Sequence, residues 1–145
     1  MTTIMLIRHG DTDWNAGEVF RGRADIELNK TGIKQADLLA KYLEKVQLVS
    51  IYSSPLKRAL QTAEIIAAPH DIEVTTAPEL IDFDYGAWQG LSRNTVKDTY
   101  KSLYQDWLDE PHLVKMPGGE SLDDVSKKCA SLVERIITGT RIPLL

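Results

Sequence analysis

From Thr3 to Ile7 the chain is almost continuously apolar, and the run ends abruptly on Arg8, His9 and Gly10. A short unbroken apolar run predicts a strand covered on both faces, as in a parallel sheet. A polar, glycine-containing loop follows from Gly10 to Lys30. Ile33, Ala36, Ala40 and Leu43 then recur at helical spacing, with Asn29 or Thr31 as candidate N-caps. Leu48 to Ser53 reads as a second strand. Ser54-Pro55 has the form of an N-cap with proline at the first helical position, and Leu56, Ala59, Leu60, Ala63 and Ile66 or Ala67 supply the buried face of a second helix. Ile72 to Thr75 predicts a third strand. Less regular helical sequence runs from Arg93 to Leu108 and is broken at Pro117-Gly118-Gly119. A clear helix starts at Ser121, with Asp123 and Asp124 in its first turn. Leu122, Val125, Cys129, Leu132 and Ile136 share one face of it, and Gly139 ends it.

The βαβαβ alternation is that of an α/β fold, a mostly parallel sheet with helices packed on it. At 145 residues and 43% hydrophobic, the chain suits a single domain, residues 1–145. A long amphipathic helix in such a chain is normally followed by a strand that returns to the sheet. Only "TRIPLL" follows Gly139, so the domain is expected to be incomplete at its C-terminus.

The formal charge of −4 provides no basic field, which argues against nucleic acid as a partner and requires any anion site to be local. One cysteine, Cys129, excludes an intrachain disulfide framework and a cysteine-rich zinc site, and it fits a reducing cytoplasm. No signal-peptide pattern or membrane-length apolar run is present, so no membrane association is expected. The sequon form Asn29-Lys30-Thr31 is read as chance. No Walker sequence, dinucleotide fingerprint or metal-binding His/Glu cluster occurs, and a reaction without metal or cofactor is expected. The oligomeric state is left open, a homo-oligomer included.

In parallel sheets the ligand site lies beyond the carboxyl ends of the strands, where Arg8 and His9 are placed. "SSPLKRALQTAE" puts Lys57 and Arg58 in the first turn of a helix, where the macrodipole and unpaired amides favour anions. Something negative should offset those two cations. If both strand ends share one sheet edge, Arg8, His9, Arg58 and a helix N-terminus converge on a phosphate-sized pocket.

These residues resemble the histidine phosphatase superfamily, also called phosphoglycerate mutase-like. The resemblance is carried by "RHG" with Thr12 and Asn15 following, "RGRADIELNKTGIKQA", "SSPLKRALQTAE", "DFDYGAWQGL" and "PGGES", in that order over nearly the whole chain. It implies a three-layer α/β/α sandwich and hydrolysis of a small phosphomonoester. His9 is the implied nucleophile, forming a phosphohistidine that water hydrolyses. Arg8 and Arg58 are implied to hold the phosphoryl oxygens, and Asn15 to donate a further hydrogen bond. Asp82 falls at the position of the general acid, where many relatives carry glutamate.

Two other departures stand out. Arg21 replaces the glutamine many relatives have before Gly22, adding a cation that could meet a second anionic group of the substrate, or simply a solvated one. The family's second essential histidine belongs to a segment beyond the last helix of this chain. His70 and His112 do not fit that motif and are read as surface residues. The short interval from Gly90 to Pro117 and "PGGES" resemble the phosphatase branch, such as the α-ribazole phosphatases, more than the mutases. Phosphoglycerate mutase activity and phosphoryl binding without turnover are the alternatives. Asp82-Phe83-Asp84 does not suit the aspartate-x-aspartate nucleophile of haloacid-dehalogenase phosphatases, since only Leu80-Ile81 precede it and Tyr85 follows. Trp14, Trp88 and Trp107 are read as packing residues and Cys129 as an inert core thiol.

Overall fold

The computed structural model describes residues 3–16 and 18–139, with the side chains of Asn15 and Ala16 outside the description. The "TRIPLL" segment also lies outside the described residues. Strands β1 (Ile51–Ser53) and β2 (Val74–Thr76) pair in parallel, Ile51 opposite Val74 and Ser53 opposite Thr76. Parallel neighbours need a crossover, and helix α2 (Lys57–Ala67) supplies it. Helix α1 (Lys30–Leu43) lies against α2, and Ala40 and Leu43 bury themselves with Ile66 beside Leu48 and Ile51.

The N-cap of α1 is Asn29, whose Oδ1 accepts the Gly32 N–H at 2.9 Å. Ile33, expected inside, is exposed, and Gly32 is buried in its place. The reason is a backbone crossing. A Cβ on Gly32 would lie 2.1 Å from the Asp11 carbonyl oxygen, and one on Gly10 would lie 2.4 Å from that of Gly32. Only glycines let the segment after His9 run across the first turn of α1.

Helix α2 starts at Lys57, two residues after the expected Pro55, because Leu56 is still extended. Its inward face is also rotated from the apolar reading: Arg58 and Thr62 are buried with Ile66 and Ala67, while Ala59, Leu60 and Ala63 are only half-buried. Polar side chains tolerate this because their groups are hydrogen-bonded, as described below.

Thr3 to Ile7 differs from expectation. The segment joins no ladder, and Leu6 is 91% exposed. A strand needs neighbours to take up its backbone N–H and C=O groups, and none of the described residues supplies one here.

A second cluster holds the other half of the chain together: Phe83, Trp88, Val96, Tyr104, Val114 and Met116. The irregular helical stretch is two helices, α3 (Arg93–Thr99) and α4 (Lys101–Asp109), separated where Tyr100 leaves helical geometry at φ −118°. Trp88 is fully buried and Trp107 packs against the cluster, whereas Trp14 is exposed, against the packing reading. Helix α5 (Leu122–Thr138) begins on a capping box in which Ser121 and Asp124 satisfy each other's backbone amides, and it ends at Gly139 with φ 70°. Cys129 on this helix is half-buried rather than a core thiol, its Sγ 3.7 Å from the Glu79 carbonyl oxygen. No helix among the described residues is long and apolar enough to cross a membrane.

Candidate active site

His9 Nδ1 lies 2.7 Å from the carbonyl oxygen of Gly10, which identifies Nδ1 as the protonated nitrogen and leaves the lone pair on Nε2. That backbone is pinned in turn: the Gly10 N–H donates to Thr62 Oγ1 at 3.1 Å, and Thr62 donates back along α2 to the Arg58 carbonyl at 2.7 Å. Burial lowers the pKa of His9 below its ordinary 6.5, and the Arg58 and Arg8 charges push it the same way; the Gly10 carbonyl and Asp82 oppose them. The imidazole is therefore neutral at pH 7, and its Nε2 lone pair accepts the Arg58 Nε–H at 3.2 Å.

Arg58 is 3% exposed and occupies the centre of the site. Its Nε–H donates to His9 Nε2 at 3.2 Å, Nη1 donates to the Ala24 carbonyl at 2.7 Å, and Nη2 donates to the Gly22 carbonyl at 2.8 Å and to Asp82 Oδ2 at 2.9 Å. The guanidinium thus ties together His9, the loop at Gly22 and Asp82. The anion expected at the start of α2 comes from the protein. Asp25 accepts the Lys57 N–H at 2.8 Å and Glu27 pairs with Lys57 Nζ at 3.1 Å. That helix terminus is capped rather than left for substrate, which corrects the expectation that it helps to form the phosphate pocket.

Asp82 Oδ1 accepts the Phe83 N–H at 2.7 Å, so the carboxylate is held by its own backbone and by Arg58. Arg8 is an exposed side chain whose charge reaches His9. Arg21 is half-buried and lines a cleft with Glu18, Val19, Phe20 and Arg93. Burial and the Asp82 charge raise the pKa of Tyr85, while the Arg21 charge lowers it. Arg21 and Asp82 therefore both act on the same phenol. The structure brings His9 and Asp82 each into direct contact with Arg58, the Arg8 charge acts on His9 and the Arg21 charge acts on Tyr85; the Asn15 side chain lies outside the described residues.

Neither remaining histidine belongs to this group. His70 lies beyond the far end of α2, twelve residues after Arg58, about 18 Å away at helical rise. It is half-buried, not a surface residue, and its Nε2 is out of solvent. His112 is exposed on the turn Pro111–Leu113. Among the described residues, no group of three or more His, Cys, Asp or Glu side chains could hold a metal ion.

The sequence profile of the histidine phosphatase superfamily, branch 1, matches residues 4–141. The chain belongs to that superfamily. Phosphoserine phosphatase 1 of Hydrogenobacter thermophilus is 38% identical over 136 residues, covering 94% of this chain and 64% of that protein. Two solved structures superpose closely. Mycobacterial glucosyl-3-phosphoglycerate phosphatase gives a TM-score of 0.84 at 32% identity, covering 91% of this chain and 62% of its own. The α-ribazole phosphatase of Shigella flexneri gives 0.84 at 26% identity, covering 91% and 65%. The chain spans a little under two thirds of the length of these relatives. Its fold is the phosphoglycerate mutase-like one of the histidine phosphatase superfamily, with a small parallel sheet and packed helices.

Motif reading within this superfamily missed the parts that act through the backbone. Thr62 and Gly32 carry no chemistry of their own, so nothing in their side chains marks them. The i, i+4 spacing of Arg58 and Thr62 on a helix was the available signal, since it puts both on one face.

Proposed function

We propose that this chain carries the nucleophile and acid of a phosphatase acting on a small phosphomonoester through a phosphohistidine on His9. The observation that supports it is the tautomer of His9: Nδ1–H is given to the Gly10 carbonyl, and Nε2 faces the Arg58 guanidinium. In the first step the Arg58 Nε–H turns from Nε2 to a phosphoryl oxygen, and the freed Nε2 lone pair forms a bond to phosphorus while the bond from phosphorus to the alcohol oxygen breaks. Asp82, as the general acid, delivers a proton to the departing oxygen. The positive charge that develops on the ring is stabilised by the Gly10 carbonyl at Nδ1. In the second step water attacks phosphorus and gives a proton to the Asp82 carboxylate. The P–N bond breaks, phosphate leaves and neutral His9 returns.

Arg58 aligns His9 and Asp82 and has one N–H not committed among the bonds described above for a phosphoryl oxygen. Arg8 supplies a further contact to that group. Arg21, whose charge acts on the Tyr85 phenol that Asp82 also reaches, meets a second negative group on the alcohol portion of the substrate. Aspartate in place of glutamate at position 82 shortens the acid by one methylene, and the Arg58 bond keeps it on the His9 side of the site.

Turnover of a generic phosphomonoester by the chain and by His9→Ala tests the reading, together with acid-quench detection of a phosphorylated imidazole. Release of phosphate that depends on His9, with label on that residue, is the expected result. Binding of phosphate without release supports a phosphoryl-binding module instead. Transfer of the label between phosphoglycerates supports mutase chemistry.

A further inference from the structure

The segment that bears Asp82 is held by a cluster of charges away from His9. Glu120, mostly buried, accepts on both carboxylate oxygens. Its Oε1 receives Arg23 Nη2 at 2.9 Å and Lys128 Nζ at 3.0 Å; its Oε2 receives the Asp84 N–H at 3.0 Å and Lys128 Nζ at 3.1 Å. The Glu120 N–H donates back to the Asp84 carbonyl at 3.0 Å. Lys128, reaching from α5, also donates to the Ile81 carbonyl at 3.1 Å. Arg23 closes the ring on Asp84 Oδ2 at 3.1 Å.

These contacts bracket Asp82. Its preceding carbonyl, at Ile81, and the Asp84 amide two residues on are both tied to Glu120, one through Lys128 and one directly. The backbones are interlocked as well: a Cβ on Gly119 would lie 2.3 Å from the Asp84 carbonyl oxygen, and one on Gly86 would lie 2.2 Å from that of Pro117. The Ala87 N–H donates to that Pro117 carbonyl at 2.9 Å. Arg23 adds a link to the other side of the site, since its neighbour Gly22 accepts from Arg58.

We propose that Glu120 is a positioning residue for the acid: by gripping the chain on both sides of Asp82, it fixes where that carboxyl stands relative to the leaving oxygen. A mostly buried carboxylate is costly unless paired, and here each oxygen has two donors. The arrangement has two defined tethers and a target between them, which sets it apart from a surface ion pair. The inference rests on Asp82 being the proton donor.

The decisive measurement compares Glu120→Gln and Lys128→Met with Asp82→Asn on two substrates, an alkyl phosphomonoester and an aryl one with a good leaving group. General acid catalysis contributes on the order of 10²–10⁴-fold where the leaving oxygen needs a proton, and little where it does not. Loss of positioning is expected to lower kcat/KM on the alkyl ester at least ~10-fold and to change that on the aryl ester under ~3-fold, as in Asp82→Asn, because kcat/KM reports phosphoryl transfer to His9 and not the later hydrolysis that Asp82 also serves. A general structural defect lowers both esters together, and that result, or no effect on either, overturns the proposal. Lys128→Met removes the Ile81 tether while leaving Glu120 in place, so it decides the matter if Glu120→Gln does not fold.

A second readout is independent of turnover. The Phe83 N–H is held by Asp82 Oδ1, so its hydrogen exchange reports the pose of the acid. Faster exchange at Phe83 in both variants, with α1 and α2 amides unchanged, is expected; undisturbed protection at Phe83 overturns the positioning role. If the unaltered chain shows no His9-dependent turnover, the proposed function fails, and exchange at Phe83 alone judges the positioning.

Discussion

The Nε–H of Arg58 donates to His9 Nε2 at 3.2 Å, while Nη2 of the same guanidinium donates to Asp82 Oδ2 at 2.9 Å. One buried cation therefore holds both the proposed nucleophile and the proposed acid. Arg58→Lys cannot reproduce this, because an ammonium on a flexible stem has no planar fork. Arg58→Ala leaves the Gly22 and Ala24 carbonyls without a donor and removes the ion pair with Asp82. Half of that pair is exposed, so the expected loss is about 3 kcal/mol, below the full cost of breaking a buried pair. Urea unfolding of Arg58→Ala, Arg58→Lys and the unaltered chain measures it. Both variants are expected to lose His9-dependent turnover, with the lysine form more stable than the alanine form.

The direction of the His9 shift fixes a pH dependence. Burial holds its pKa below 6.5 in the folded chain, so between that lower value and 6.5 the unfolded chain binds more protons. Stability contributed by neutral His9 is thus present above 6.5 and is lost as pH falls through the folded value. Activity follows the same limb, since a protonated imidazole has no lone pair on Nε2. The pH profile of kcat/KM for the free enzyme is expected to fall on the acid side with a midpoint below 6.5, and imidazole NMR should give the same midpoint. A midpoint above 6.5 contradicts the burial argument.

How much of this could be read from residues alone depends on what holds each part. The caps were legible because they are local: Ser121 with Asp124 and Asn29 with Gly32 need only their own helices. The meeting of His9 with Arg58 was expected from two strand ends sharing an edge, although only the Ile51–Ser53 end is a strand, and Asp82 was placed by the family resemblance alone. The run Thr3 to Ile7 was not, because an apolar sequence specifies a strand only if a neighbour completes the ladder. Nor was the inward turn of Arg58 and Thr62, since periodicity counts apolar side chains and these two are buried for their hydrogen bonds. The grip of Glu120 on Asp84 joins residues 36 apart in sequence, beyond the reach of any local pattern.

Gly32 separates helix propensity from packing. Alanine at an exposed helix position gains about 1 kcal/mol over glycine. At position 32 the new Cβ would lie 2.1 Å from the Asp11 carbonyl oxygen, backbone against backbone, with no flexible side chain to move away. The clash outweighs the propensity, and Gly32→Ala is expected to destabilise by roughly 2 kcal/mol or more. It should also displace the His9–Gly10 segment. Thermal unfolding checks the first effect, and loss of the Gly10 amide's exchange protection, which reports its bond to Thr62, checks the second.

Arg21 bears on substrate choice. The Phe20 ring packs edge-on against Tyr85 at 5.0 Å, which anchors the backbone next to Arg21 and sets its cation near the same phenol that feels Asp82. On the proposed mechanism, an alcohol leaving past Asp82 emerges toward this positive charge. A charged hydrogen bond is worth about 1.5–3 kcal/mol, or roughly 10- to 100-fold in binding. Arg21→Gln is expected to reduce kcat/KM by that factor for phosphomonoesters whose alcohol bears a carboxylate or second phosphate. The loss should lie chiefly in KM, because a contact to a group that takes no part in the reaction stabilises bound substrate and transition state alike. For an ester of a neutral alcohol of similar size the same substitution should be nearly silent. Equal losses on both substrates would place the Arg21 contact on the phosphoryl group itself. No loss on either would remove Arg21 from substrate recognition.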